Sequence, residues 1–194
     1  MRRLYLMVNL PFLLLVIFTA NAQVETSQDR VFKPFKVDIG VNLTFPVSPE
    51  LTLGGGFFVE PRYGVNDRIH LGIHLGSNII GEGKFLFNNH EAVTRAQAIA
   101  NLSLTGEYHF ALEEVRPFVG ISGGMYRRSD YEVVDHTSGV VIIRHGTIVN
   151  LGVAPRIGIV AGKFRMNATY HFSGKGITDF VSLGLGIQFG GGRR

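Results

Sequence analysis

Residues Asp179 to Phe189 read D-F-V-S-L-G-L-G-I-Q-F. Val181, Leu183, Leu185, Ile187 and Phe189 alternate with Ser182, Gly184, Gly186 and Gln188. A strand sends successive side chains to opposite faces, so this period of two predicts a strand with one continuously apolar face and one small or polar face. Such a strand could line a soluble sandwich. The start of the chain and the pattern of the remaining strands decide against that.

Arg2 and Arg3 are followed by an apolar run from Leu10 to Ala20, interrupted by Pro11 and Thr19, and then by Ala20-Asn21-Ala22. A positive start, a short apolar stretch and an A-x-A site are the pattern of a secretory signal, predicted over residues 1–22 with cleavage before Gln23. The apolar run is well short of the ~20 residues a spanning helix needs. With no cysteine, neither a disulfide framework nor a lipid-modified cysteine is available. Arg2 and Arg3 supply half of the formal net charge of +4, and the small remainder is dispersed, which argues against a nucleic-acid partner. The 25 glycines and 15 phenylalanines favour strands and tight turns. No later stretch is long and apolar enough for a spanning helix, so a membrane-embedded form of this chain has to be a closed barrel, in which every backbone N–H and C=O finds a partner.

Alternation recurs along the whole remainder. A polar lead-in occupies residues 23–35, followed by strands at Lys36–Phe45, Gly54–Val65, Arg68–Ile79, Ala96–Phe110, Val115–Tyr126, Thr147–Val160, Lys163–Phe172 and Asp179–Phe189. Connections after the second, fourth and sixth strands are short, and those after the first, third and fifth are longer, including a Gly/Asn-rich loop from Ile80 to Arg95. Tyr63, Tyr108, Phe110, Phe164 and Phe189 fall at one end of the strands, and Phe45, Phe57, Tyr170 and Phe172 at the other. The pattern predicts an all-β fold: an eight-stranded antiparallel up-and-down transmembrane β-barrel over residues 36–189, with a short polar tail at 190–194.

The signal, the eight alternating strands and the terminal aromatic strand resemble the small outer-membrane β-barrel family of the OmpA/OmpX type. The resemblance covers nearly all of the exported chain and rests on pattern rather than on a residue motif. One departure is that Gly190-Gly191-Gly192-Arg193-Arg194 follows Phe189, where many such barrels stop at the aromatic residue. What the resemblance implies is an integral protein of the outer membrane of a Gram-negative-type envelope, surrounded by lipid and lipopolysaccharide. It would be inserted by the barrel-assembly machinery, with a structural or surface-interaction role, no catalysis and no cofactor.

Three constellations could carry chemistry. If the apolar faces meet lipid, the opposite faces collect Lys36, Asp38, Glu60, Arg62, Arg68, Glu107, Arg116, Arg156, Lys163 and Arg165, with His109, inside one half of the lumen. Rings of basic side chains would make a narrow, anion-leaning, porin-like pore. The competing reading is a paired polar plug, because eight strands leave an interior just wide enough for side chains, and the residues favour the plug. His171 and Ser173, with Asp179 as the nearby acid, are weak candidates for a lipid A deacylase-like hydrolase using a His base and a Ser nucleophile. Against it, both share the lumen-facing parity, Gly174-Lys175-Gly176 follows the Ser, and Leu185 stands where the acid is expected. His70 and His74 share a strand face about 13 Å apart at ~3.3 Å per residue, too far for one metal without a third group, and no metal site is assigned. Finally, the Arg127–Gly146 stretch flanks a polar tip, Asp135 to Gly139, with apolar residues, so it could extend the fifth and sixth strands into a hairpin whose edge recruits a surface partner.

Overall fold

A computed structural model describes residues 31–88, 91–136 and 139–193. The predicted signal peptide and most of the lead-in lie outside the described residues. Eight strands follow in chain order: β1 (Phe35–Pro46), β2 (Gly54–Gly64), β3 (Ile69–Asn88), β4 (Glu91–His109), β5 (Val115–His136), β6 (Gly139–Ala161), β7 (Phe164–His171) and β8 (Phe180–Gly190). Each pairs antiparallel with the next, and β1 pairs with β8 to close the barrel. The eight-stranded antiparallel barrel predicted from the alternation is the fold observed.

Register follows the alternation. Across the closing seam Ile39 stands opposite Ile187 and Val41 opposite Leu185, on the outside, while Asp38 stands opposite Gln188, on the inside. The burial pattern is that of a soluble protein turned inside out: Leu104 is 71% exposed and Leu151 77%, whereas Lys36, Arg62 and Glu60 are each 1% exposed. In water such an outside would be strongly unfavourable, at roughly 25 cal/mol per Å² of apolar surface. In a bilayer it is the arrangement that pairs the backbone and buries the apolar face in hydrocarbon. The predicted aromatic residues at the turn end, Tyr63, Tyr108, Phe110, Phe164 and Phe189, all point outward and are exposed, joined by Phe35.

The strands are longer on one side of the barrel than the alternation predicts. In the stretch Ile80–Arg95, expected as a loop, the described residues are strand: β3 runs on to Asn88 and β4 begins at Glu91, with Glu82 opposite Arg95 and Phe87 opposite Ala92 across a register shift. Its glycines and asparagines are loop signals locally, but the neighbouring strand supplies a hydrogen-bonding ladder that overrides them. Likewise β5 and β6 continue to His136 and Gly139, with a register shift between Ser129 and Tyr131. Thr137 and Ser138 at the expected tip lie outside the described residues. The end-to-end asymmetry therefore resides mainly in strand overshoot: β5 and β6 have 22 and 23 residues, while β7 has 8 and β8 has 11.

At the overshooting end, Ile80, Ile99, Tyr126, Ile177 and Phe180 form a buried apolar cap over the lumen, with Leu51 packed against them. Below it lies a neutral polar layer including Asn42, Thr44, Asn78, Asn101 and Ser103, all buried. Thr44 and Asn42 both donate to Asn78 Oδ1, at 2.9 and 3.4 Å. The charged residues fill the half nearer the turn end.

Candidate functional site

The lumen alternation delivers side chains from seven of the strands to one charged cluster. Arg62 on β2 forms ion pairs with Asp38 and, at 2.6 Å, with Glu107 on β4, and donates to Gln188 Oε1 at 3.2 Å. Arg165 on β7 pairs with Glu107 through both terminal nitrogens and reaches Asp38 at 3.7 Å. Arg156 on β6 lies 2.8 Å from Glu60 and 3.4 Å from Glu107. Glu60 also meets His74 Nδ1 at 2.8 Å and accepts from Thr105 at 3.1 Å. Every charged member is at most 4% exposed.

Long side chains fit across so narrow a barrel because small residues face them. A Cβ at Gly72 would stand 2.6 Å from Arg62 Cγ, and one at Gly120 would stand 2.9 Å from Glu107 Cγ. Arg165 also lies over the Phe118 ring at 4.1 Å, so its charge is held by an aromatic face as well as by carboxylates.

Of the ten residues predicted for this cluster, Lys36, Asp38, Glu60, Arg62, Glu107, Arg116, Arg156 and Arg165 are buried inside it. Arg68 and Lys163 are a correction: both are exposed. Arg68 precedes β3 and donates to the Phe110 carbonyl at 3.1 Å, and Lys163 sits in the turn with Gly162. Strand parity directs a side chain inward only within a ladder, and both residues lie just outside one. His70 and His74 separate as their spacing implies: His70 contacts Lys36 Nζ at 3.1 Å and packs tilted against His109, ring centroids 4.3 Å apart, while His74 stays with Glu60. Sequence reasoning did not find Thr105 or Gln188 as partners of the cluster, nor Phe118; their inward parity was the available signal.

His171 and Ser173 both face the lumen and are buried. His171 is engaged by Tyr126 and Ser182, each at 2.9 Å, and stacks on Phe180 at 4.2 Å. The Asp179 carboxylate accepts the Ser173 backbone N–H at 2.8 Å, and Ser173 Oγ has no hydrogen-bond partner among the described residues. The three residues are near one another without forming a relay from acid to base to nucleophile.

Ligand atoms of His70, Glu107 and His109 come within 4.8 Å of one another. Glu107 is already bound by three guanidinium groups and Lys36 lies against His70, so this surrounding favours an anion over a cation.

The barrel superposes on the crystal structure of Ail, the attachment invasion locus protein of Yersinia pestis, solved with the heparin analogue sucrose octasulfate. The TM-score is 0.51 at 12% identity, over 81% of this chain and 100% of that one. The fold is that of a small outer-membrane barrel. Neisserial surface protein A matches with a TM-score of 0.48 at 17% identity, over 82% of this chain and 98% of that one. OprG of Pseudomonas aeruginosa matches at 0.44 and 11%, over 84% and 99%. At these identities the likeness is one of fold. No family model and no curated protein matches the sequence.

Proposed function

We propose that this chain is a non-catalytic outer-membrane barrel whose lumen is sealed and whose long strands present a binding edge at the cell surface. Export by the predicted signal, the inside-out burial and the barrel fold support the location. The paired charges and the apolar cap of Ile80, Ile99, Tyr126, Ile177 and Phe180 weigh against a conducting pore. The engaged His171 weighs against a hydrolase.

The observation that carries the reading is the unbroken exposure of residues 142–149 of β6. On one side they pair with β5; on the other, β7 joins only at Val153 and beyond. Consecutive strand residues point to opposite faces, so continuous exposure means that no described layer covers either face. Ile142, Ile143, Ile148 and Val149 are 66%, 43%, 37% and 55% exposed. A long edge of β-branched residues with unpaired N–H and C=O groups is the template for strand addition by a partner.

The test is to replace residues 133–146 with a two-residue Asn-Gly turn and measure binding of whole cells to a panel of immobilised extracellular proteins. Loss of binding by the shortened barrel, correctly inserted by heat-modifiability on gels, supports the reading. Equal binding by the two barrels overturns it.

A further inference from the structure

We propose that the turn-end layer of the lumen, formed by Lys36, His109 and Arg116, is a binding site for a compact oxyanion. Among the described residues the lumen holds five buried cations, Lys36, Arg62, Arg116, Arg156 and Arg165, against three buried carboxylates, Asp38, Glu60 and Glu107. Arg62, Arg156 and Arg165 occupy all three carboxylates.

Lys36 and Arg116 are left over: neither makes an ion pair among the described residues. Among the described residues the polar contacts of Lys36 Nζ are with the His70 ring, at 3.1 Å and 3.5 Å from its two nitrogens. Arg116 lies over the Phe32 ring at 4.2 Å, while its Nε and Nη1, both buried, have no hydrogen-bond partner among the described residues. His109 is buried too: its Nε2 lies 3.5 Å from Glu107 Oε2, while its Nδ1 has no hydrogen-bond partner among the described residues. His109 stands opposite Phe118 in the β4–β5 ladder, and Arg116 is the next inward residue toward the turn end, so their side chains belong to adjacent inward steps.

Two cations without a carboxylate partner and several unused donors inside a barrel are expensive, because the desolvation penalty of each buried charge is offset only in part by an aromatic face or a neutral ring. An oxyanion of roughly two negative charges would neutralise the excess and accept from Arg116, Lys36 and His109 together, in the charge-assisted geometry that guanidinium groups favour. Arg116 borders a cleft of about 610 Å³ at the turn end, which is also lined by Phe32, Lys163, Gln188 and Arg193. Phe32, whose ring lies against the Arg116 guanidinium, is held at the cleft by its N–H, which donates to Asp67 Oδ1 at 3.1 Å, and by a bridge to Arg193.

The full-length barrel is refolded into lipid vesicles near neutral pH and titrated with inorganic phosphate, with chloride at matched ionic strength as the control. The expected result is saturable broadening of the phosphorus NMR signal and a urea midpoint that rises with phosphate but not with chloride. Arg116→Gln and Lys36→Met should each weaken phosphate binding about tenfold, the equivalent of one lost charge-assisted hydrogen bond. If phosphate and chloride shift the midpoint equally, or if Arg116→Gln binds phosphate as the unaltered barrel does, the site is not there. Should Arg116→Gln fail to fold, the phosphate and chloride comparison on the unaltered barrel decides alone.

Discussion

Changing Glu107 to Gln removes one negative charge from the centre of the lumen while keeping the shape. Glu107 meets three guanidinium groups, and the consequences differ for each. Arg62 keeps its ion pair with Asp38, and Arg156 keeps Glu60 at 2.8 Å. Arg165 is left with Asp38 at 3.7 Å and the Phe118 face, so the loss concentrates on one fully buried cation. Breaking a buried pair from one side costs about 3–5 kcal/mol, because the surviving charge stays desolvated. With a urea slope of about 2 kcal/mol per molar, the unfolding midpoint should fall by about 2 M. The assay is urea unfolding in vesicles, followed by gel heat-modifiability. Lys36→Met in phosphate-free buffer supplies the opposite control: it removes an uncompensated cation and should leave the midpoint unchanged or higher. A Glu107→Gln barrel within about 0.5 kcal/mol of the original, the range of an ordinary surface change, would refute the claim that these carboxylates hold the plug together.

Other expectations follow from the same geometry. Leu185→Arg places a charge on the outward face midway along β8, opposite Val41 and Met166; it should weaken assembly into lipid by ~2–4 kcal/mol, and normal assembly would show that this face does not meet hydrocarbon. Single-channel recording of the folded barrel should give no conductance steps, whereas reproducible anion-selective steps would restore the pore reading. Gly120→Val should impair folding, since a Cβ there already lies 2.7 Å from the Gly106 carbonyl oxygen and 2.9 Å from Glu107 Cγ. Heat-modifiability identical to that of the parent would argue against the tight fit.

The fold was legible because lipid outside and a filled lumen inside impose opposite demands on alternate residues, and a period of two records both. Val181 to Phe189 shows this, as do Ile39 and Val41 opposite Ile187 and Leu185. Which inward residues become partners was less legible. Glu107 and Arg165 are 58 positions apart and meet only because β4 and β7 face each other across the barrel. Parity also failed where the ladder stops, at Arg68 and Lys163. Strand length was obscured for a different reason: Gly81, Gly83 and Asn88 carry turn propensity, and only the register with β4 shows that pairing prevails.

The seam between β1 and β8 joins the two ends of the chain, from Lys36 opposite Gly190 to Pro46 opposite Phe180, with Phe32 and Arg193 bridged just beyond it. These are the contacts of greatest sequence separation, and so the slowest to form. Until β8 arrives, the first seven strands amount to an open sheet with two raw edges, and hydrocarbon offers those edges no hydrogen-bond partner. Insertion of this chain is therefore a single commitment made by its final strand, and a chain cut before Phe180 should remain outside the membrane altogether.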